Sequence, residues 1–382
     1  MVRVAVLHNT LDLRGGADAV CMHTVEALQE RHRVTLFTVS STPLETLNDL
    51  FDTDVRSVAV RNRPLAAAAI GRGVGLANRI TGGRTGPALG LRSLLVGRLF
   101  ARHAGAFDLA VSTANEFALS VPSVQYVHYP QFNRRRLNDD GPTLAPLDRA
   151  YARLAGVDEL DPAARLVANS GWTAGVVERA YGRRPAVIYP PVDPPVSEPP
   201  AWERREPGFV ALGRIAPDKN HLRLIGIVDR LRRRGHDVHL HVVGSTARAY
   251  RGYLERVADA AADREYVHLE GEMSRDRLGE LLARHRYGLH GKDREHFGMA
   301  VAELVASGLV TFVPAGGGQQ EIVDDPDLTY GSVPEAVETI GAALAADRRP
   351  GDVGAVAERF GTRRFRAEMR AAVADRLSGG SR

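Results

Sequence analysis

Two glutamates, Glu295 and Glu303, lie on either side of a segment that reads His-Phe-Gly followed by an apolar run. Residues 287–291 read as a strand, so Glu295 falls in the loop after it and Glu303 about one and a half turns into the following helix. The first amide groups of such a helix have no partner within it and can bind a phosphate, which a glycine lets approach closely. These amides are assigned to Phe297, Gly298 and Met299.

The two carboxylates need a ligand other than phosphate, because a carboxylate and a phosphate repel each other. Sugar hydroxyl groups donate hydrogen bonds, and carboxylates accept them. A nucleotide sugar, in which a diphosphate joins a ribose to a hexose, would place the hexose at Glu295 and the ribose at Glu303. The alternative is a loop charge and a solvated helix face, which the Glu-x7-Glu spacing by itself does not exclude.

A pair of cations, Arg214 and Lys219, follows the predicted strand 208–213 and precedes a helix. Ligands of open α/β sheets bind outside the carboxyl ends of the strands, where both cations and the strand-terminal Gly213 are expected. A guanidinium grips two phosphate oxygens, while an ammonium acts as a point charge. Cations are unfavourable at the positive start of a helix, which favours a bound anion over two solvated side chains. Only two of the 50 basic residues are lysine, Lys219 and Lys292, so a compact ammonium is expected to matter at Lys219.

Alternating apolar runs and helical stretches predict the α/β elements that hold these residues. Runs such as 2–7 and 34–39 read as strands buried on both faces of a parallel sheet. The alternation restarts after a proline-rich stretch, and 382 residues exceed the size of one ordinary core. The predicted parts are an N-terminal doubly wound domain at 1–190, a linker at 190–206 and a C-terminal doubly wound domain at 207–350. A terminal helix, 352–378, is expected to pack back on the N-terminal domain.

The composition excludes several classes of protein. With 44% hydrophobic residues the chain is not disordered throughout, and no run of about 18 apolar residues reads as a membrane span. Cys21 is the single cysteine, so no intramolecular disulfide forms and a reducing compartment is indicated. No early segment reads as a secretory signal, and a cytoplasmic location is expected. The net charge of +4 indicates anionic partners.

Three segments resemble those of one known family of enzymes. They are GRIAPDKN at 213–220, HGKDREHFGMAVAE at 290–303 and GGGQQEIV at 316–323. In this order and spacing they resemble the retaining glycosyltransferases of family four. The resemblance implies the GT-B fold, in which two Rossmann-like doubly wound domains face a central cleft. It also implies catalytic roles for Arg214, Lys219 and Glu295.

The resemblance implies further contacts with a nucleotide-sugar donor in the C-terminal domain. GEMSRD at 271–276 would lie at the nucleotide base, with Met273 as its contact. The glycine loop 316–318 would lie near the sugar, although Gln319-Gln320 stands where Pro-x is more usual.

Two segments of the N-terminal domain also resemble the family. RGGAD at 14–18 resembles a Gly-Gly-Ala-Glu loop that closes over the donor diphosphate, where Gly15 and Gly16 permit backbone approach. VQYVHYPQFN at 124–133 places His128 at a strand end, where the family has a histidine that contacts the transferred hexose. A structural histidine satisfied by a backbone carbonyl is the alternative. The Tyr-Val-His-Tyr-Pro segment is similar to the α-1,2-mannosyltransferases that act on dolichol-linked oligosaccharides, which favours GDP-mannose as donor.

The resemblance implies retaining, metal-independent transfer of a hexosyl group to a hydroxyl of a lipid-linked, polysaccharide or secondary-metabolite acceptor. No cofactor and no nucleic acid are expected. UDP-GlcNAc or UDP-glucose as donor, another reaction on the same fold and a non-catalytic sugar-nucleotide-binding protein remain alternatives. The arginine-rich segment 56–102, in which 91–103 could be an amphipathic basic helix, indicates either peripheral association with an anionic membrane or a solvated face.

Overall fold

The computed structural model describes residues 1–81, 88–130, 160–196, 198–246 and 250–379, together with residues 150, 153, 154 and 156. The chain divides into two compact units. One is made of Met1–Pro191 with Thr362–Arg382, and the other of Val192–Gly361. None of the helices within the described ranges is both long enough and apolar enough to cross a bilayer.

The first unit is built around a seven-stranded parallel sheet. Its strands are β1 (Arg3–Leu7), β2 (Arg33–Thr38), β3 (Ala59–Asn62), β4 (Leu109–Ser112), β5 (Ser123–Val127), β6 (Arg165–Ala168) and β7 (Ala186–Val187). The order across the sheet is β3-β2-β1-β4-β5-β6-β7, so the winding direction reverses between β1 and β4. The accompanying helices are α1 (Gly16–Gln29), α2 (Leu44–Phe51), α3 (Pro64–Thr81), α4 (Leu89–Ala101) and α5 (Gly171–Tyr181).

The central strand β1 explains why these strands are apolar along their whole length. Successive side chains of a strand point to opposite faces of the sheet. Val4 and Val6 belong to one apolar cluster, whereas Ala5 and Leu7 belong to another. Both faces of the sheet are therefore covered, and an alternating polar pattern would have buried polar groups.

The second unit repeats this plan with a six-stranded parallel sheet. Its strands are β8 (Glu206–Leu212), β9 (Leu240–Val243), β10 (Val267–Gly271), β11 (His285–Leu289), β12 (Val310–Pro314) and β13 (Thr329–Tyr330). The order is β10-β9-β8-β11-β12-β13, and the winding reverses between β8 and β11. The helices are α6 (His221–Arg233), α7 (Arg251–Ala262), α8 (Arg275–Arg284), α9 (Met299–Ala306), α10 (Gln320–Val323), α11 (Val333–Ala345) and α12 (Val353–Phe360).

The segment predicted as a linker, 190–206, is partly built into the second unit. Trp202 begins a short 3₁₀ turn and is buried, with its ring edge-on to Tyr287 at 5.8 Å between centroids. β8 then starts at Glu206. Among the described residues between Pro190 and Ala201 there is no helix or strand, and Trp202 after them supplies apolar area that the second core buries.

The helix predicted at 352–378 is two helices in different units. α12 ends at Phe360 in the second unit, and α13 (Thr362–Ser378) belongs to the first. A side chain at Gly361, which separates them, would lie 2.6 Å from the Ala357 carbonyl oxygen, so this close turn requires glycine. Residues of α13 complete the core that covers β1 and pack against α1. They are Phe365, Met369, Ala372 and Val373.

The basic helix expected at 91–103 corresponds to α4, which packs into the first unit's core. Arg92 is buried and donates hydrogen bonds to the Thr10 hydroxyl at 3.0 Å and the Val39 carbonyl at 2.8 Å. Leu94 and Phe100 on the same helix are also buried. Arg98 on the same helix is exposed, so α4 packs its apolar side chains and Arg92 inward and keeps one basic side chain at the surface. Association of this segment with a membrane stays a prediction. Residues 82–87 of the arginine-rich segment lie outside the described residues.

Candidate functional site

The loops that follow β8 and β11 meet at the carboxyl edge of the second sheet. These two strands are neighbours, and the sheet order reverses between them, which is where doubly wound sheets bind ligands. Gly213 begins the first loop, Gly291 is the second residue of the other, and a side chain at Gly291 would overlap the Lys219 carbonyl. Asn220 donates a hydrogen bond to the Gly291 carbonyl at 2.9 Å. The loops that carry the predicted cations and the predicted glutamate are therefore in direct contact.

Glu295 is the centre of this contact. Its carboxylate is 2.5 Å from Lys219 Nζ and 3.2 Å from Lys292 Nζ, and His290 Nε2 is 3.5 Å away. Only 8% of the glutamate is exposed. Burial alone would raise the pKa of Glu295, but the two ammonium groups hold it well below its usual range. The carboxylate is thus ionised and keeps lone pairs that can accept hydrogen bonds from a ligand.

Lys292 has no assigned role in the sequence prediction, yet it lies beside the carboxylate. It bridges Glu295 and Asp218, whose oxygen is 3.5 Å from Nζ. Burial acts to lower the pKa of Lys292, but the two carboxylates raise it, so the ammonium stays charged. The rarity of lysine in this chain was the signal that could have identified the residue. His290, also missed, is the residue directly after β11 and is buried.

The glycine-rich loop after β12 covers the backbone of Glu295. The Gly318 amide donates to the Glu295 carbonyl at 2.7 Å, and the Arg294 amide donates to the Gly316 carbonyl at 3.0 Å. Gly317 has φ 148°, and a side chain there would lie 2.8 Å from both the amide nitrogen and the carbonyl oxygen of Glu295. The glycines are required because the two loops pack backbone against backbone.

Gln319 and Gln320, the departure from the family pattern, hold this loop in place. Gln320 accepts a hydrogen bond from the Gly316 amide at 2.7 Å. Gln319 is fully buried and donates to the Pro314 carbonyl at 2.8 Å, while its side-chain oxygen has no partner among the described residues. The two amide side chains therefore hold the 314–320 turn in shape through hydrogen bonds to its own backbone.

Helix α9 starts next to Glu295. Gly298 is its N-cap with φ 108°, and a side chain there would lie 3.4 Å from Glu295 Cγ. Its left-handed conformation ends the loop, so the amides at the helix start belong to Gly298, Met299 and the two residues that follow. Assigning a helix-start amide to Phe297 is therefore wrong. Phe297 is instead buried, with its ring edge-on to Phe360 at 5.4 Å between centroids.

Glu303 lies on the second turn of α9, away from the lysines. Its nearest cation is Arg275, at 3.9 Å from Nη1 to Oε1, and 24% of its side chain is exposed. Burial raises the pKa of Glu303 to about 7, against the opposing effect of Arg275. Glu303 therefore exchanges a proton near neutral pH, unlike Glu295.

Arg214 and Met273 complete the predicted residues of the second unit. Arg214 is exposed, and nothing in the part of the chain that the structure describes pairs with its guanidinium. It remains available to an anion. Met273 is half-buried and packs against an apolar cluster that includes Val210 and Leu281. Its thioether is therefore held at the edge of the core.

The predicted residues of the first unit lie at the carboxyl edge of its own sheet. Gly15 precedes α1, and its amide donates to Asp18 at 3.2 Å. No protein atom lies within 4 Å of a side chain built on Gly15, so packing alone does not demand glycine there. Gly16 is the first residue of α1.

His128 follows β5, and its Nε2 is 3.1 Å from the Thr113 carbonyl oxygen. Burial lowers the pKa of His128 to about 4, so the ring is neutral and donates to that carbonyl. This hydrogen bond is the one expected if His128 has a structural role, in which a backbone carbonyl satisfies the ring. The neighbouring His8, which the sequence prediction missed, directly follows β1 and lies 3.0 Å from an Asp18 oxygen.

Comparisons with known proteins address the same regions. Residues 14–195 match the family model described as Glycosyltransferase Family 4, and residues 196–345 match that of Glycosyl transferases group 1. Relatives include the GDP-Man:Man(3)GlcNAc(2)-PP-Dol alpha-1,2-mannosyltransferases of Candida glabrata and Neurospora crassa. The first is 29% identical over 40% of this chain and 33% of its own length. The second is 26% identical over 62% of this chain and 51% of its own length. The chain therefore spans between a third and a half of the length of these relatives.

Solved structures share the fold. Sucrose-phosphate synthase from Thermosynechococcus elongatus aligns with a TM-score of 0.72 at 15% identity and covers 100% of both chains. Anabaena HepE in complex with UDP and glucose aligns with a TM-score of 0.67 at 15% identity over 98% of this chain and 100% of its own. The predicted GT-B fold of two Rossmann-like domains is confirmed. Matched in both halves by these family models, the chain belongs to the family 4, group 1 glycosyltransferases.

Proposed function

We propose that this protein transfers a hexosyl group from a nucleotide-diphosphate sugar, GDP-mannose in the first place, to a hydroxyl group of its acceptor. The observation that carries the proposal is the buried, ionised Glu295, which two lysines hold beside the start of α9. A structural ion pair alone needs neither a glycine N-cap nor a left-handed glycine loop packed against it. A nucleotide sugar accounts for all three features, because its hydroxyl groups need the Glu295 carboxylate as hydrogen-bond acceptor and its diphosphate needs the helix-start amides as donors.

The donor diphosphate is assigned to Arg214, Lys219 and the amides at the start of α9. Arg214 is exposed and free within the described residues, so it can grip two phosphate oxygens. Lys219 is held by Glu295, which fixes its position and reduces the conformational freedom lost on binding. These groups stabilise the charge that develops on the departing diphosphate, and on this assignment the transfer needs no metal ion.

The hexose and the ribose are assigned to the two glutamates. Glu295 accepts hydrogen bonds from hexose hydroxyls, because its pKa keeps it ionised throughout the neutral range. Glu303 accepts from the ribose hydroxyls in its ionised form, which is only partly populated at neutral pH. Met273, at the edge of the core, is assigned to the base.

The reaction is proposed to retain the anomeric configuration by attack on the face from which the diphosphate leaves. The bond between the anomeric carbon and the phosphate oxygen breaks, and the acceptor oxygen forms its bond on the same face. The acceptor proton passes to the departing diphosphate oxygen. Product analysis by NMR of the anomeric proton checks retention, and a trapped covalent glycosyl-enzyme would contradict the front-face route.

GDP-mannose is favoured because it is the donor named for the dolichol-linked mannosyltransferases among the relatives. HepE, which shares only the fold, was solved with UDP and glucose, so UDP-sugars are the competing donors. A thermal-shift screen of GDP-mannose, UDP-glucose and UDP-GlcNAc with GDP and UDP as controls separates these, because a bound ligand stabilises the fold. A lack of any shift with all five compounds would refute the proposed function.

Turnover is tested by incubating the protein and its best donor with polyprenyl-diphosphate-linked oligosaccharide. Formation of a longer lipid-linked product supports the transferase. Formation of an epimerised sugar from the donor alone would indicate an epimerase. Tight donor binding without any turnover on lipid-linked, polysaccharide or small-molecule acceptors would indicate a non-catalytic binding protein.

The acceptor is proposed to be lipid-linked and reached at the inner face of the membrane through α3. Leu65 and Leu76 on this helix are 87% and 60% exposed, and Arg63 and Arg72 beside them are exposed as well. An apolar and basic helix surface suits an anionic bilayer. Pelleting with phosphatidylglycerol vesicles tests this, with a Leu65→Ser/Leu76→Ser variant expected to bind less. Equal recovery with neutral phosphatidylcholine vesicles would refute it.

A further inference from the structure

Four histidines gather at the amino edge of the second sheet, opposite the site at its carboxyl edge. His285 is the first residue of β11, His239 lies just before β9, His241 lies within it, and His268 lies on β10. One ligand nitrogen from each of His239, His241 and His285 lies within 4.8 Å of the others. None of these residues is used in the proposed transfer reaction.

A glycine makes this convergence possible. β8 runs between β9 and β11, so a ring from β9 must cross β8 to reach His285. A side chain at Gly208 of β8 would overlap the His239 ring. With only hydrogen at that position, His239 Nε2 approaches His285 Nε2 to 3.0 Å. The backbone therefore leaves a space that the imidazole fills.

Two of the histidines are oriented by acceptors on their outer nitrogen. His285 Nδ1 is 2.7 Å from the Leu281 carbonyl oxygen, and His241 Nδ1 is 2.7 Å from a Glu270 oxygen. A carbonyl or a carboxylate only accepts, so each Nδ1 carries the proton and each Nε2 presents a lone pair. This arrangement is the one by which proteins orient histidines that bind metal ions.

The geometry of the facing nitrogens also favours a cation. Two facing Nε2 atoms at 3.0 Å repel unless a proton or a cation lies between them. A proton satisfies that one pair but leaves the lone pair of His241 unused.

A carboxylate completes the donor set. Glu206 Oε2 is 3.7 Å from His239 Nε2 and 4.0 Å from His285 Nε2. Its other oxygen, Oε1, accepts a hydrogen bond from Arg284 at 3.0 Å, which leaves Oε2 for the ion. The side chain is 44% exposed, so the cluster is open to solvent. Imidazole with one carboxylate suits Zn²⁺, Cu²⁺ and Ni²⁺ rather than Mg²⁺ or Ca²⁺.

We propose that His239, His241 and His285, with Glu206, bind one divalent transition-metal ion, Zn²⁺ in the first place. In a tetrahedral site, metal–nitrogen distances of about 2.0–2.1 Å put adjacent ligand nitrogens about 3.3–3.4 Å apart, so the Nε2 atoms of His239 and His285, which are 3.0 Å apart, would separate by only a few tenths of an ångström. The ion joins β9 to β11 across β8 at the edge remote from Arg214 and Glu295. Its role is structural, and the site is independent of the proposed transfer reaction.

The test is metal binding by the full chain after tag removal and stripping with a chelator. Zn²⁺ is titrated against a chromophoric chelator, and Co²⁺ is titrated with detection of its visible absorption. One equivalent is expected with micromolar or tighter affinity. His239→Gln should weaken binding at least about tenfold, and Glu270→Leu, which removes the acceptor behind His241, by about 10- to 100-fold.

His236→Gln is the matched control, because His236 lies three residues before His239 in the chain and outside the cluster. His285 is fully buried, so the partly exposed His239 is the primary variant. Its thermal midpoint without metal verifies that it folds. Zn²⁺ should raise the midpoint of the wild type and of His236→Gln but not that of His239→Gln. Equal Zn²⁺ affinity of wild type and His239→Gln, or equal loss in His236→Gln, would overturn the site.

Discussion

Substitution of Gly317 by alanine tests whether the glycine loop positions Glu295. The added methyl would lie 2.8 Å from the amide nitrogen and the carbonyl oxygen of Glu295, whereas ordinary contact begins at 3.4 Å. The two loops must therefore separate by about 0.6 Å, and the Gln319 side chain, whose oxygen would overlap the methyl, must move as well. The residue also has φ 148°, where an L side chain costs about 1–3 kcal/mol, and overpacking costs a further ~1–3 kcal/mol.

The expected functional effect follows from the displacement of Glu295. A misplacement of about 1 Å in an active site can lower the rate about 100-fold, so a shift of this size predicts a loss of kcat/KM of roughly 10- to 100-fold. Initial rates at varied donor concentration measure it, and the thermal midpoint of the variant reports the strain.

Gly316→Ala is the matched control. Gly316 has φ 82°, so alanine is strained there too, but no protein atom lies within 4 Å of the added methyl. This variant should lose some stability and keep most of its activity. If the two variants lose the same activity, backbone strain alone explains the effect, and the reasoning that the loop positions Glu295 is refuted.

Four further outcomes are expected. Lys292→Met removes one of two cations that keep the pKa of Glu295 low, so the acidic limb of the pH–activity profile should move to higher pH, and an unmoved limb would contradict the ion triad. Donor affinity should fall as the pH drops through about 7, where Glu303 gains its proton, and Glu303→Gln should remove this dependence in a titration of donor binding. Arg214→Gln should leave the thermal midpoint unchanged, because the side chain is exposed, while kcat/KM falls by about 10- to 100-fold with the loss of charge-assisted hydrogen bonds; a destabilised variant would place Arg214 in a structural role. Chelation should lower the thermal midpoint by removing the histidine-bound metal without lowering the transfer rate at a temperature where the protein stays folded, and a parallel loss of rate would refute metal-independent transfer.

Much of the fold follows from local patterns in the sequence. Apolar runs alternating with helices predict two parallel sheets, because a strand buried on both faces cannot alternate apolar with polar residues. The polarity of parallel strands then places the residues after β8 and β11 at one edge. Arg214, Lys219, Glu295 and Gly298 were therefore predicted to lie at that edge from their positions after strands, without knowledge of any contact.

Boundaries were predicted less well, because they depend on which core buries a given side chain. Trp202 joins the second core although prolines precede it. Gly361 separates two helices that share one helical pattern in the sequence. Arg92 looks like a surface cation, and only the fold shows the Thr10 and Val39 oxygens that accept its hydrogen bonds.

The sequence by itself determined the fold class, the family and the segments that carry the candidate site. Those features depend on residue type, local period and motif spacing, which the chain carries along its length. Only the tertiary structure decided that Lys219 and Lys292 share one carboxylate and that His239 meets His285. These contacts join residues far apart in the chain, and they form because the winding order places β11 beside β8 and because glycines at 208 and 291 let the neighbouring groups approach.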